Sequence, residues 1–342
     1  MIVRARAPLR ISFAGGGTDV SPYFEKYGGM VLSTTIDRYA YCTVASSDNG
    51  YSLRSADLEI DEYYSDLGNI QYNGKLDLAK AVVKTVCGGN NHKLELSLLS
   101  EAPPGSGLGS SSALMVAIIK GVVDFLGVNS NSYSIAQLAY KLEREELSIK
   151  GGYQDQYAST FGGFNFIELN GKGTTVNPLR VRDEILRELL ASLVLIDTGK
   201  SRLSSHILER QIDSYRKETV DVMEALAKIK EITLEAKSAL LRGDLARFGE
   251  LLGEEWSCKK LLDKNISNQE IEAIYKGSIA NGALGGKVLG AGNGGHMLFF
   301  TDIRKRKALT KYLVSNGYEP VPFNFDVYGA VSWKVDKDGV MT

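Results

Sequence analysis

A segment rich in glycine and serine, residues 103–113, carries the residue types that bind phosphate. Glycines let backbone N–H groups approach a ligand closely, serine hydroxyls bind phosphate oxygens or a metal, and a helix start favours an anion. We predict a half-buried strand before the segment, over residues 92–99, and an apolar helix after it, over residues 113–126. The lysine of a P-loop is absent. This context favours an anion site over a flexible loop with a serine N-cap.

A second glycine cluster, residues 15–17, follows the first predicted strand, residues 2–14, and leads directly to Thr18 and Asp19. Three glycines permit close approach of a ligand, and the Asp19 carboxylate can accept hydrogen bonds from sugar hydroxyls. The alternative interpretation is a turn capped by Thr18 or Asp19, and the cluster alone favours neither.

A third glycine cluster covers residues 285–296 and formally matches the pattern G-x-G-x-x-G at Gly290, Gly292 and Gly295. A dinucleotide fingerprint must open a helix, whereas residues 296–300 have a strand pattern. A nicotinamide dehydrogenase is therefore disfavoured. The cluster is either a hairpin turn or a backbone brace against another ligand-binding loop.

Two carboxylates lie close to these clusters in sequence. Asp155 falls in a predicted glycine loop, residues 151–163, which suits a ligand-facing position, although an Asx-turn also explains it. Glu143 lies on a predicted helix, residues 134–147, with no opposite charge three or four positions away. No local salt bridge of that spacing accounts for Glu143, and a solvated helix charge remains the alternative.

Cations for a phosphate group are available at Lys200 and Arg202, which follow a predicted strand, residues 192–197, and open a predicted helix. Such a position is a reasonable anion site. Ordinary surface charges are the alternative interpretation.

The elements that must position these residues are strands and helices in irregular order. Further strands are predicted over residues 30–36, 39–46 and 164–169, and long helical patterns begin near residue 204. Because strands and helices do not alternate as strict βαβ units, the pattern predicts an α+β fold. The length of 342 residues favours two domains, which we place at residues 1–187 and 188–342.

Composition excludes several classes of protein. A net charge of −1 gives no basic field for nucleic acid, and the longest apolar run, residues 113–119, is too short for a membrane span. The first residues lack the apolar segment of a signal peptide. Three scattered cysteines indicate reduced thiols rather than disulfides or a zinc site. We expect a cytoplasmic protein without nucleic-acid or membrane partners.

Taken together, the three clusters resemble the three motifs of the GHMP kinases, the superfamily of galactokinase, homoserine kinase, mevalonate kinase and phosphomevalonate kinase. Residues 6–19 resemble the first motif, and residues 287–296 resemble the third. Residues 104–113 match the second, P-x-G-x-G-L-G-S-S-[SA]-A, almost letter for letter. The resemblance implies an N-terminal domain related to ribosomal protein S5 domain 2 and a C-terminal ferredoxin-like domain, with ATP and sugar in the cleft between them.

The resemblance also implies roles for individual residues. Ser111 and Glu143 match residues that bind Mg²⁺, Asp155 matches the residue that orients or deprotonates the acceptor hydroxyl, and Arg10 matches an arginine near the transferred phosphoryl group. The sugar would be held by Gly16, Gly17, Thr18 and Asp19, and its phosphate by the candidates Lys200 and Arg202. The second motif would hold the phosphates of ATP through Pro104, Gly105, Ser106, Gly107, Leu108, Gly109, Ser110, Ser111 and Ser112.

Within the superfamily, residues 6–19 and 151–163 are most similar to the group of D-glycero-D-manno-heptose 7-phosphate kinases. Many galactokinases carry G-E-H-T-D where this chain has glycines at 15–17, so galactose is disfavoured as the acceptor. The implied reaction is transfer from ATP to C1 of the heptose 7-phosphate, which gives the 1,7-bisphosphate used to make nucleotide-activated heptose. The alternatives are a kinase for an unphosphorylated sugar of the fucose or galactose type, and a non-catalytic ligand-binding relative.

Overall fold

The computed structural model describes residues 2–89, 92–199 and 205–336, in which strands and helices mix in irregular order. The strands in chain order are β1 (Ile2–Ala14), β2 (Gly29–Ser46), β3 (Tyr51–Ser55), β4 (Ile60–Tyr64), β5 (Leu94–Ser100), β6 (Phe164–Asn170), β7 (Gly173–Pro178), β8 (Leu193–Asp197), β9 (Ala283–Val288), β10 (His296–Thr301), β11 (Phe325–Asp326) and β12 (Val331–Val335). This mixture confirms the predicted α+β class.

The helices are separated by loops and by two short non-α turns, a 3₁₀ turn at Leu67–Asn69 and a π-helical turn at Lys141–Glu146. In chain order they are α1 (Tyr23–Tyr27), α2 (Asp77–Cys87), α3 (Ser110–Phe125), α4 (Ser132–Tyr140), α5 (Gln154–Phe161), α6 (Asp183–Ser192), α7 (Ser205–Arg216), α8 (Val220–Arg242), α9 (Leu245–Lys260), α10 (Gln269–Ala280) and α11 (Ile303–Ser315). None of these helices is both long and apolar enough to cross a membrane.

A large sheet has the strand order β12-β1-β2-β5-β3-β4, and the first half of β2 also pairs with β6 and β11. Strand β2 was predicted as two strands, but it is continuous with a register shift opposite the step from Pro8 to Leu9. Proline has no N–H to donate to the ladder, so the pairing slips at that point. Helix α3 packs across β1 and β2 and also against α2, α4 and α5, so most of its residues are apolar and buried.

A smaller sheet has the order β8-β10-β9, and helix α9 packs against β9 and β10. Helix α8 packs on α9 and on β1 and β2 of the large sheet. The buried face of α9 carries Trp256, which is fully enclosed, together with Glu255 and Lys259. These residues share one face because positions three and four apart lie above each other on a helix. The same face therefore delivers two charged side chains into the interior.

The predicted domain division at residue 187 remains a prediction. The topology adds one fact about it: β11 and β12, near the end of the chain, pair with β2 and β1 of the large sheet. The segment after β10 thus returns to the sheet on which the chain begins.

Two local predictions were wrong. Residues 151–163 were predicted as a loop but contain α5, which buries Tyr157 and Ala158 in a cluster with strand β6 and ends at Gly162, where φ is +69°. The single helix predicted at 134–147 is interrupted after Tyr140 by the π-helical turn, which turns Leu142 and Glu143 into the interior. Tertiary packing determines both the formation of α5 and the π-helical turn, and neither can be recognised from local composition.

Candidate active site

The three glycine clusters meet at one cleft of about 620 Å³. The first cluster contributes Gly16, Gly17 and Asp19 to its wall, and Arg10 of β1 lies beside them. The other predicted site residues on the wall are Pro104, Gly105, Gly107, Gly109, Ser110, Ser111, Ser112, Glu143 and Asp155. Residues far apart in sequence therefore share one cavity.

Three predicted contact residues lie behind this wall instead. Thr18 is fully buried, and its hydroxyl donates to the carbonyl oxygen of Gly15 at 2.8 Å. Ser106 and Leu108 are also buried, and their side chains support the loop rather than reach the cleft. Lys200 and Arg202 lie outside the described residues.

The loop between β5 and α3 exposes backbone N–H groups to the cleft. Gly105, Gly107 and Gly109 have φ angles of +80°, +81° and +75°, which residues with a Cβ rarely adopt. Gly109 is the N-cap of α3, so the unpaired N–H groups of the first helical turn begin at Ser110. This arrangement is suited to an anion such as a phosphate group, because the unpaired N–H groups and the helix dipole both favour negative charge.

The third glycine cluster joins β9 to β10 and also braces this loop, so the two interpretations of the sequence both hold. A Cβ at Gly107 would lie 2.6 Å from the carbonyl oxygen of Leu289. The backbone N–H of His296 donates to the carbonyl oxygen of Ser106 at 2.9 Å. Two glycine-rich backbones thus touch directly, which fixes the loop against the smaller sheet.

Arg10, which is buried, forms an ion pair with the partly exposed Asp155 beside this loop. Arg10 Nε donates to Asp155 Oδ1 at 2.7 Å, and Arg10 Nη2 lies 2.7 Å from the same oxygen. Arg10 Nη1 donates to the carbonyl oxygen of Gly107 at 2.5 Å. Arg10 is 3% exposed and the Asp155 side chain 19%. Arg10 is thus no strand-edge surface charge, and the described residues give Asp155 Oδ2 no donor.

Glu143 is 1% exposed, so it is not a solvated helix charge. Its Oε1 accepts a hydrogen bond from Ser111 Oγ at 2.7 Å and lies 3.2 Å from Nη1 of Arg144. Its Oε2 accepts from Ser112 Oγ at 2.7 Å and from Gln156 Nε2 at 2.6 Å. Four side-chain groups therefore hold this carboxylate in one orientation at the start of α3.

A hydroxyl and a carboxylate side by side suit a hard divalent cation. Ser111 and Glu143 both line the cleft, and their oxygens are 2.7 Å apart. Mg²⁺ prefers oxygen ligands and keeps several waters, so it does not need a full protein cage. The described residues contain no group of three or more His, Cys, Asp or Glu that could form such a cage. The donor set thus fits Mg²⁺ held partly by the protein.

Asp19 ties two loops together under the cleft. Its Oδ1 accepts from the backbone N–H of Gly17 and its Oδ2 from that of Gln154, both at 3.1 Å. Burial raises the pKa of this carboxyl. Asp19 can therefore order the glycine cluster and still present an edge to a ligand.

Lys259 is the functional candidate that the sequence analysis missed. It belongs to α9 and reaches the cleft, where its Nζ donates to the carbonyl oxygen of Gly290 at 2.5 Å. The sequence carries no signal for it, because it is one charge among several at the end of an amphipathic helix.

Comparisons with known proteins agree on the family to which this chain is similar. The family model described as "GHMP kinases N terminal domain" matches residues 77–163, and that described as "GHMP kinases C terminal" matches residues 236–318. A D-glycero-alpha-D-manno-heptose 7-phosphate kinase of Campylobacter jejuni is 40% identical over 97% of this chain and 99% of its own length.

Two further relatives differ in their named substrates. A crystal structure titled as a D-glycero-D-manno-heptose 1-phosphate kinase from Bacteroides thetaiotaomicron matches with a TM-score of 0.83 and 34% identity, over 98% of this chain and 100% of that one. An L-fucokinase/L-fucose-1-P guanylyltransferase of Bacteroides fragilis is 29% identical over 91% of this chain and 36% of its own length.

Proposed function

We propose that this chain, which belongs to the GHMP kinase family, transfers the γ-phosphoryl group of ATP to the C1 hydroxyl of D-glycero-D-manno-heptose 7-phosphate. The observation that carries the proposal is the contact between the Arg10–Asp155 pair and the loop at Gly107, because it puts an acceptor-facing carboxylate next to a phosphate site. The product would be the 1,7-bisphosphate. The acceptor is taken from the C. jejuni relative.

Each group in the cleft has a place in this reaction. Asp155 accepts the proton of the C1 hydroxyl at its open Oδ2 while the C1 oxygen bonds to the γ-phosphorus. The bond from that phosphorus to the bridging oxygen of ADP breaks, and ADP leaves. The Arg10 guanidinium, fixed by Asp155 and Gly107, stabilises the charge on the transferred group.

The remaining residues of the cleft are proposed to bind the two substrates. N–H groups of Gly105, Gly107 and residues 109–112 would bind the phosphates of ATP, and Gly16, Gly17 and Asp19 would bind sugar hydroxyls. The N–H groups of Ser106 and Leu108 already donate within the loop. Ser111 and Glu143 would hold Mg²⁺, which when bound neutralises charge on the ATP phosphates. We place the reaction in the cytoplasm, where ATP is available and where the three free cysteines remain reduced.

The names of the relatives differ on the phosphate that the acceptor already carries. The 7-phosphate is preferred here, because that relative is 40% identical and the one named for the 1-phosphate is 34% identical. The fucokinase relative favours a second candidate, an unphosphorylated sugar. A non-catalytic relative is disfavoured, because Arg10, Asp155, Ser111 and Glu143 are all present and in mutual contact as pairs.

Coupled ATP consumption with a panel of heptose, heptose 1-phosphate, heptose 7-phosphate, fucose and galactose tests the acceptor. We expect the 7-phosphate to exceed free heptose in kcat/KM by about 10- to 150-fold, since each charge-assisted hydrogen bond is worth roughly 1.5–3 kcal/mol. Arg202→Glu should lower kcat/KM for the phosphorylated acceptor far more than for the free sugar.

The matched control is Arg54→Glu, at an exposed arginine that pairs with Asp61 on the hairpin β3–β4. This variant should leave kcat/KM unchanged for both the phosphorylated acceptor and the free sugar. Equal kcat/KM for heptose and its 7-phosphate would contradict the proposal and favour the free-sugar kinase.

A further inference from the structure

A buried lysine from the smaller-sheet side of the molecule projects into the cleft. Lys259 is 5% exposed, and its Nζ lies 3.7 Å from the position that a Cβ on Gly16 would occupy. Gly16 has no side chain, so the space above it is open to the cleft. Lys259 thus brings a charged group of α9 next to the first glycine cluster.

This ammonium group lacks an anionic partner. It has three N–H donors, and the only acceptor that the described residues provide is the carbonyl oxygen of Gly290. The buried carboxylate four residues earlier on α9, Glu255, pairs with Lys287, whose Nζ lies 2.8 Å from Glu255 Oε2. A buried cation that forms no direct ion pair is unfavourable unless a ligand completes its shell.

The surroundings of Lys259 also disfavour its protonated form. Burial, followed by the positive charge of Lys287, lowers the pKa of Lys259 to about 8. Arg10 acts in the same direction, and Glu255 and Asp19 oppose it. An anion placed beside this group would be strongly attracted to its protonated form.

Two other polar groups converge on the same space without partners. Ser12 Oγ lies 4.0 Å and Gln154 Nε2 3.7 Å from the Cβ position at Gly16. Ser12 is 4% exposed, and its Oγ has no hydrogen-bond partner among the described residues. The other end of the Gln154 amide, Oε1, is also buried without a partner there. Such groups are almost always paired in native proteins, so their convergence indicates a ligand position.

We infer that Lys259 binds an oxygen of the phosphoryl group in transfer, and that it acts with Arg10 as a second cation on that group. The inference rests on the proposed function. Lys259 contacts Gly290, and a Cβ on Gly290 would lie 2.7 Å from the Cα of Gly107 in the phosphate loop. This favours the γ-phosphoryl group over the acceptor's own phosphate. Lys259 keeps its protons throughout and only donates hydrogen bonds.

Lys259→Met tests the inference, because methionine keeps the length of the side chain and removes its charge. We expect kcat to fall about 10²-fold, the size seen when one donor to a developing charge is lost. The matched control is Lys260→Met, one residue on, where Nζ bonds Glu272 at 3.0 Å and does not line the cleft. It should leave kcat unchanged.

A binding measurement separates this role from a structural one. We expect wild type to bind ADP with aluminium fluoride and Mg²⁺ more tightly than ADP with Mg²⁺, and Lys259→Met to reduce that preference about 10-fold or more. The affinity for ADP alone should stay unchanged, which also shows that the variant is folded. An unchanged preference overturns the inference. If the variant instead loses affinity for heptose 7-phosphate relative to heptose, Lys259 holds the acceptor phosphate and the assignment is wrong.

The pH profile gives a third readout. Wild-type kcat/KM should fall as pH rises above about 8, because Lys259 loses its charge as pH passes its pKa. This fall should be absent in Lys259→Met, and Lys259→Arg should move it to higher pH. An alkaline limb that persists in Lys259→Met overturns the inference. Aluminium fluoride binding needs no acceptor, so a failed heptose assay would refute the proposed acceptor without deciding the role of Lys259.

Discussion

Two carboxylates, Glu143 and Asp155, line the same cleft but are held in opposite ways. Glu143 is enclosed, and each of its oxygens already contacts two side-chain groups. Asp155 is partly exposed, and Arg10 contacts only one of its oxygens. One carboxylate is fixed completely, and the other keeps an oxygen open.

The difference separates two chemical tasks. A carboxylate that hydrogen bonds fix in place is suited to holding a cation or a hydroxyl at a constant position. A carboxylate that is anchored on one side and open on the other can receive a proton from a bound hydroxyl. Both side chains are carboxylates, so their chemical type does not distinguish the two tasks. The hydrogen-bond partners around each carboxylate do.

The comparison makes its strongest prediction for Asp155→Asn. We expect kcat to fall by about 10²- to 10⁴-fold, because the amide cannot accept a proton as the carboxylate does. Nucleotide affinity should stay near wild type, since Asp155 faces the acceptor. Steady-state kinetics with ADP binding by calorimetry checks both. Asp61→Asn, in an exposed ion pair, is the control. A variant with near wild-type kcat would remove Asp155 from the mechanism.

A smaller change is expected for Glu143→Gln. The half-saturating Mg²⁺ concentration should rise about 10-fold or more, because the cation loses a charged ligand held by four groups. Mg²⁺ titrations of both activity and nucleotide binding measure the change. Glu145→Gln, on the same turn but exposed, should leave the titration unchanged. If Glu143→Gln saturates at the same Mg²⁺ concentration as wild type, Glu143 has no metal-binding role and the proposed difference from Asp155 is wrong.

The smallest change comes from a pair of neighbouring serines. Ser111→Ala should raise the Mg²⁺ requirement, since its hydroxyl is a proposed ligand. Ser112 is buried and donates to the other oxygen of Glu143, so Ser112→Ala should lower the free energy of unfolding by about 1 kcal/mol without a change in Mg²⁺ dependence. Denaturant unfolding and Mg²⁺ titration of both variants decide the matter. Identical behaviour of the two serines would show that Ser111 has no metal-binding role.

The phosphate loop could be predicted from the sequence because its signals are local. Residues 103–113 carry their own glycines and serines, and the strand and helix that flank them are evident from hydrophobic spacing. The structure places that loop between β5 and α3 as expected, with helix α3 beginning at Ser110 rather than at Ala113.

Other features depend on contacts that no local pattern reports. The Arg10–Asp155 pair joins residues that are 145 positions apart. The burial of Glu143 depends on a π-helical turn that interrupts a regular helical pattern. Helix α5 forms in a glycine-flanked segment because its buried face packs on β6. In each case long-range packing decides the outcome, and local propensity is only a weak guide.

The pairing of β12 with β1 has a consequence for synthesis on the ribosome. Among the described elements β1 emerges first and β12 emerges last, and Ile2 pairs with Val335 in the finished sheet. The β12 side of β1 therefore presents unpaired backbone groups while the rest of the chain is being made, and such an edge is prone to intermolecular pairing. Residues 2–6 of the strand that carries Arg10 therefore gain their second neighbour only after translation of β12, so this edge of the sheet is completed late in folding.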